Sequence, residues 1–167
     1  MKLAIRKATF KDIRAMVRIR KTAFTDEEVK GFTQPEHSCF YYVSGLKREW
    51  KEDNKLKGDW EIYAAEDNRG LLGYIVFKIE SHEGYIDNIN VPRRQQGKGV
   101  GKALVLRVEE IASSRGARLM RTDTTENAQG KPWKSYGFWT KMGYKDTGER
   151  LPTEWDFKEI PLIKSLE

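Results

Sequence analysis

The chain has 167 residues, 38% of them hydrophobic and 34% charged, a composition for one soluble domain spanning 1–167 around one core, with no room for a second. No run approaches the ~20 apolar residues of a bilayer crossing, and Met1-Lys2-Leu3-Ala4-Ile5-Arg6 lacks the apolar stretch of a secretory signal, so no membrane and a cytoplasmic location are expected. A single cysteine, Cys39, excludes an internal disulfide and a cysteine-built zinc centre, and two histidines, His37 and His82, argue against a metal site. The formal charge of +6 predicts a basic face for an anionic ligand.

In chain order, residues 3–6 read as a short strand, and Thr9-Phe10-Lys11-Asp12 is a Thr-x-x-acid pattern that caps a helix. Ile13, Met16, Val17, Arg20 and Phe24 recur at three and four residues, which gathers the apolar ones on one helical face up to the acidic Asp26-Glu27-Glu28. Residues 31–58 hold Pro35, the aromatic group Phe40-Tyr41-Tyr42 and a charged segment around Trp50; one short helix between loops is expected there. From Trp60 the period changes to two. Residues 62–65 and 72–79 are rich in β-branched and aromatic side chains and are separated by Asp67-Asn68-Arg69-Gly70, which predicts an antiparallel hairpin. A third strand follows over 85–91 and stops at Pro92; alternation puts Tyr85, Asp87, Ile89 and Val91 on one face and Ile86, Asn88 and Asn90 on the other. Val100, Ala103, Leu104, Val108, Ile111 and Ala112 then make the stripe of a strong helix that Arg115-Gly116 stops. A strand over 118–122, a helix over 135–142 and strands over 144–147 and 157–163 complete the reading.

Between Asp87 and Glu109 the chain carries Arg93, Arg94, Lys98, Lys102 and Arg107 and no acid. Inside this window, Gln96-Gly97-Lys98-Gly99-Val100-Gly101-Lys102 places glycines where a strand hands over to a helix, so that bare N–H groups converge on an anion, predicting a phosphate-bearing ligand. A Walker loop requires four residues between its glycine and Gly-Lys, then Ser or Thr. Here three residues separate Gly97 from Gly101, and Ala103 follows Lys102. A dinucleotide fingerprint requires G-x-G-x-x-G in a βαβ unit, and this is G-x-G-x-G after antiparallel strands.

The spacing resembles the acyl-coenzyme A loop of the GCN5-related N-acetyltransferase superfamily: Gln or Arg, two residues, Gly, one residue, Gly or Ala. Gln96 to Gly101 matches it, five residues after the strand-ending Val91. Ile5-Arg6-Lys7-Ala8-Thr9 to Asp12 resembles the family's first strand and helix start, and Phe138-Trp139-Thr140-Lys141-Met142-Gly143-Tyr144 its Phe-Tyr-x-Lys-x-Gly-Phe helix end. The resemblance implies an α/β (α+β) fold with a mixed, mostly antiparallel sheet of six to seven strands and helices on both faces. It implies acetyl transfer from acetyl-CoA to a primary amine of a small molecule, peptide or protein, by direct attack through a tetrahedral intermediate, and the family's habit of forming homodimers.

For site residues, the resemblance puts the diphosphate on Gln96, Gly97, Lys98, Gly99, Val100, Gly101 and Lys102. The pantetheine arm falls at a strand bulge bordering Ile89, Asn90 and Val91, whose backbone N–H serves the oxyanion. Asp87 is the first choice for the base, with Tyr85 on the same inward face. The family's acidic Tyr aligns with Trp139, whose indole is no useful proton donor, and Tyr136, one turn earlier, is its substitute. Asn127 stands in place for a cofactor contact, but twelve residues separate it from Trp139 where the family has seven, so an insertion holding Gly130, Lys131, Pro132 and Trp133 alters this loop. Two other readings stay open: a noncatalytic acyl-coenzyme A binding or sensing module, and nucleic-acid binding, which the lack of interleaved aromatics disfavours.

Overall fold

The computed structural model describes residues 3–32, 38–51 and 55–167; Pro35 and His37 lie outside them. In chain order its elements are β1 (Ala4–Lys7), α1 (Ile13–Ala23), α2 (Asp26–Val29), α3 (Val43–Glu49), β2 (Glu61–Asp67), β3 (Gly70–Glu80), β4 (Glu83–Asn90), α4 (Val100–Ser114), β5 (Leu119–Asn127), α5 (Ser135–Lys141), β6 (Lys145–Asp146), β7 (Leu151–Pro152) and β8 (Phe157–Ser165). The strands form one eight-stranded sheet in the order β1-β2-β3-β4-β5-β8-β6, with β7 also on β8. All pairs are antiparallel except β4 with β5. The extra strand relative to the expected six or seven is accounted for by the two-residue β7, too short to show a period.

Local chemistry sets the element starts. Thr9 and Asp12 form the expected capping box, with Thr9 N donating to Asp12 Oδ2 at 2.7 Å, and Arg6 grips the same carboxylate at 2.7 and 3.0 Å. A second box, Thr25 with Glu28, starts α2. Side chains of α1 and α3 cover one face of the sheet, where Ile13, Met16, Val17, Leu46, Ile62, Tyr74 and Val76 are buried together. On the other face, α4 buries Val100, Leu104, Val105, Val108, Ile111 and Ala112 against Ile75, Phe77, Ile86, Met120, Ile160 and Leu162. Each buried Val, Leu or Ile contributes about 1.5–3 kcal/mol relative to exposure.

Two features of β4 differ from simple alternation and build the site. The first is a bulge: Phe77 pairs with Ile86 and Val76 with Asn88, so Asp87 is an extra residue with no partner on β3. Faces therefore exchange at Asp87. Ile86 before it and Ile89 after it both point to the α4 side, whereas Tyr85, opposite Lys78, and Asn90, opposite Tyr74, point to the other. The expectation that Tyr85, Asp87, Ile89 and Val91 share one face is thus corrected, and the bulge lies two residues ahead of the expected 89–91. The second feature is a split. The β4–β5 ladder holds only Glu83↔Leu119, Gly84↔Met120 and Tyr85↔Arg121, while β5 pairs with β8 along its whole length, from Leu119↔Ser165 to Asn127↔Phe157. Beyond Tyr85 the two strands part, and Thr122 Oγ1 donating to Ile86 O at 3.2 Å is the last tie.

Candidate active site

The glycine loop lies at the wide end of this split. Gly97 and Gly99 have φ of +77° and +85°, values that L side chains rarely adopt, and Gly99 is the N-cap of α4. Nothing lies within 4 Å of where a Cβ would stand on either, so the loop backbone faces open space. The first bond into the helix runs from Ala103 N to Gly99 O, which leaves the amides of Val100, Gly101 and Lys102 without an intrahelical partner at the positive end of the α4 dipole. Gln96 does not face this space with a free amide. Its Nε2 donates to Val91 O and to Ala23 O, both at 2.9 Å, tying the loop to β4 and α1.

A cavity of about 410 Å³ adjoins the loop, walled by Phe24, Ile89, Val91, Gln95 to Gly97, Gly99, Gly101 and Lys102, and on the far side by Trp133, Lys134, Ser135 and Phe138. It brings together Ile89, Val91, Gln96, Gly97, Gly99, Gly101 and Lys102 of the expected set. Three others of that set are placed differently. Val100 is buried in the core, Lys98 is exposed and outside the wall, and Asn90 is buried with its side chain on the α1 side. Bare glycine backbone, unpaired helical amides and a lysine make a cradle that a Cβ would fill, and such a donor set fits the diphosphate of an acyl-coenzyme A.

Sharing Phe24, Ile89, Trp133 and Ser135 with that cavity, a second one of about 150 Å³ runs between β4 and β5 and reaches Arg20, Asp87, Asn88, Asp123 and Trp139. A third, of about 210 Å³, opens on the outer side of the same point, walled by Trp60, Tyr85, Asp87, Arg121, Asp123, Leu151 and Glu159 among others. Asp87 and Asp123 belong to both. Asp87 Oδ2 accepts from Asn88 Nδ2 at 2.5 Å, Asn88 Oδ1 from Asn90 Nδ2 at 2.7 Å, and Asn90 Oδ1 from Arg20 NH1 at 2.9 Å. A guanidinium thus polarises a chain of amides that ends on the bulge carboxylate. Desolvation raises the Asp87 carboxyl against the opposing pull of Asn88 and Arg20.

Asp123 escapes the sequence reading, in which the strand stops at Thr122. Its side chain is open to solvent through the outer cavity, yet the walls crowding it, and then the charges of Glu159 and Asp87, push its carboxyl up to about 7. The signal was the alternation of buried Thr122 and Thr124 around it, which aims Asp123 at the opposite face.

The two tyrosines have other occupations. Tyr85 lines the outer cavity and donates its hydroxyl to Glu83 Oε2 at 2.8 Å, and that carboxylate, also held by Arg121, is drawn down to about 2. Tyr136 donates to Asp146 Oδ2 at 3.1 Å beside Arg150 and lines none of the three cavities, because one helical turn rotates and lifts it away from Trp139. As a substitute proton donor it is therefore misplaced. Trp139 is 2% exposed, its ring edge-on to Phe138 and Tyr144. Asn127 is misplaced for a cofactor contact as well: its Oδ1 accepts from Gln129 N and Lys131 N, capping the inserted turn, and it lines a separate cavity of about 440 Å³. The insertion instead sends Trp133 across the cleft to Phe24 and Phe32, at ring distances of 5.4 and 5.2 Å, while Lys134 bonds Glu28 at 2.9 Å.

Comparison with known proteins agrees with this architecture. The sequence pattern of the acetyltransferase (GNAT) family matches residues 21–144, and the chain belongs to that family. No curated protein matches the sequence. Among solved structures it is similar to the PaiA N-acetyltransferase of Thermoplasma acidophilum in complex with coenzyme A (21% identity, 99% of each chain, TM-score 0.73). It is also similar to the ribosomal-protein-S18-alanine N-acetyltransferase of Escherichia coli (14% identity, 99% of this chain and 95% of that one, TM-score 0.69) and to an N-acetyltransferase of Staphylococcus aureus (16% identity, 100% of each, TM-score 0.71). At these identities the likeness establishes the fold. No helix among the described residues is long and apolar enough to cross a membrane, and no group of three or more His, Cys, Asp or Glu among them is placed to hold a metal.

Proposed function

We propose that this chain is an N-acetyltransferase that moves an acetyl group from acetyl-CoA to a primary amine by direct attack of the neutral amine. One observation carries the reading: the open glycine backbone at 97–101 and the carboxylate of Asp87 lie at the two ends of one continuous cleft through the split sheet. Acetyl-CoA, when bound, supplies an acyl group activated as a thioester. Gly97, Gly99, Gly101 and Lys102 hold the diphosphate, and Ile89 and Val91 flank the arm. Main-chain groups of β4 beyond Ile86 are free of β5 and offer N–H to the acyl oxygen. Asp87, fixed by the Arg20–Asn90–Asn88 chain, attracts the ammonium of the acceptor and sets its nitrogen in the gap.

A second reading, a noncatalytic acyl-coenzyme A sensor, is favoured by one feature: no tyrosine lines either cavity of the cleft, and buried Trp139 stands at the family's acid position. Thiol release separates the two. Acetyl-CoA with a panel of primary amines, amino acids and peptides is expected to liberate free thiol; tight binding of coenzyme A with no release for any member leaves the sensor.

A further inference from the structure

Asp87 and Asp123 stand on opposite walls of the gap where β4 and β5 part, and the two cavities meet between them. Their surroundings differ. Asp87 ends a hydrogen-bond chain anchored by a guanidinium. Asp123 has no hydrogen-bond or ion-pair partner among the described residues. The charged or titratable groups lining the two cavities around it are Arg20 of α1, Tyr85 and Asp87 of β4, Arg121 of β5 and Glu159 of β8; α5 and β7 contribute only Ser135, Trp139 and Leu151. Arg20 is committed to Asn90, and both Arg121 and Tyr85 to Glu83. Among the described residues, Asp123 therefore faces two carboxylates, and the two guanidiniums lining its cavities, Arg20 and Arg121, bond Asn90 and Glu83 and not Asp123.

We propose that Asp123 is the proton acceptor for the incoming amine, while Asp87 holds the ammonium in place; the inference rests on the acetyl-transfer reading above. The step is a proton transfer. One N–H bond of the ammonium breaks, an O–H bond forms on the Asp123 carboxylate, and the electron pair stays on nitrogen as the nucleophile. The proton then leaves for solvent through the outer cavity. A carboxyl pushed up to about 7 is matched to taking and returning a proton near neutrality, and the divergence between two neighbouring carboxylates separates the roles.

The test combines thiol release with acetyl-CoA, using propylamine, 1,4-diaminobutane, lysine and a peptide with a free amino terminus, with a carboxyl-carbon NMR titration of the protein alone. The wild type is expected to gain rate as pH rises through about 7, and Asp123→Asn to lose that limb and about 10²-fold or more in kcat, with coenzyme A affinity by calorimetry preserved. In the titration, the resonance absent from Asp123→Asn should move near neutrality and fall to lower pH in Asp87→Asn, which removes a like charge. A wild-type resonance titrating near 4, or an Asp123→Asn enzyme with the wild-type rate and pH profile, overturns the role of Asp123 alone. A wild type that binds coenzyme A but releases no thiol with any amine overturns acetyl transfer and this role together.

Discussion

Gln96 reaches back to Val91, its side-chain amide donating to the carbonyl five residues earlier at 2.9 Å. The same nitrogen donates to Ala23 O at the end of α1. The residue that opens the glycine motif thus acts as a clasp between loop, strand and helix, and the proposed function leaves the anion to the bare amides that follow it.

Releasing the clasp tests this division of labour. Gln96→Ala is expected to cost about 0.5–1.5 kcal/mol in urea denaturation, the ordinary worth of a hydrogen bond, and to weaken coenzyme A binding by about tenfold through loss of loop geometry. Affinity lost without any change in stability would mean instead that the amide contacts the ligand directly.

Gly99 tests the cradle itself. With φ of +85°, Gly99→Ala pays about 1 kcal/mol for its backbone conformation, and the cavity stays open. Gly99→Glu adds a carboxylate where the proposal seats the diphosphate, and coenzyme A affinity in calorimetry is expected to fall by more than about 10²-fold, a loss of the size that like charges about 4 Å apart supply near a protein surface. Wild-type affinity in the Glu variant would remove this loop as the diphosphate site.

Trp133 joins the inserted turn to Phe24 and Phe32 and walls both cavities of the cleft. Aromatic pairs of this kind are worth about 0.5–1.5 kcal/mol beyond their buried area. Trp133→Ala is expected to lower Tm by a few degrees and to raise the KM for acetyl-CoA, with a smaller change in kcat, since in the proposed complex the side chain walls the arm and touches no reacting atom. A fall confined to kcat would place the indole in the chemistry.

Two carboxylates give stability opposite responses to pH. Asp123 has a folded pKa above its unfolded value, so the folded state binds the extra proton, and stability declines as pH rises from about 4 to about 7. Asp123→Asn should therefore raise Tm above pH 7 and leave it nearly unchanged at pH 4. Glu28, drawn down to about 2 chiefly by the Thr25 N–H and by Lys134, behaves in the reverse sense. Its contribution is present above about 4.5 and fades as pH falls toward 2, so Glu28→Gln should lower Tm at pH 7 and not at pH 2. Thermal scans at three pH values check both signs.

Elements with a strong period were legible from the residues. α1 is announced by Ile13, Met16 and Val17 after a capping box, and α4 by its apolar stripe after Gly99, because burial of one face dictates which positions are apolar. The glycine loop was legible for a different reason: its backbone conformation excludes other residues. What failed depends on partners distant in the chain. The bulge at Asp87 is defined by pairing with Val76 and Phe77, and a period-two reading has no means of skipping a residue. β5 was read as ending at Thr122 since Asp123 to Asn127 are polar, yet β8 carries it five residues further. Tyr136 and Asn127 take their expected roles from the family resemblance alone, and local hydrogen bonds to Asp146 and to the inserted turn claim them instead.

The short β4–β5 ladder also has a mechanical consequence. Helix α4 packs across β1 to β4 and also holds the far half of the sheet, since its Glu109 accepts from Lys164 of β8 at 2.7 Å and from the Tyr144 hydroxyl at 3.0 Å. The two halves are thus joined at the Tyr85 end by three ladder pairs, by Arg121 of β5 on Glu83 of β4 and by Thr122 on Ile86, with α4 spanning both. All of these ties gather at one end of the junction, and from Asp87 to Val91 the cleft wall carries no ladder bond to β5.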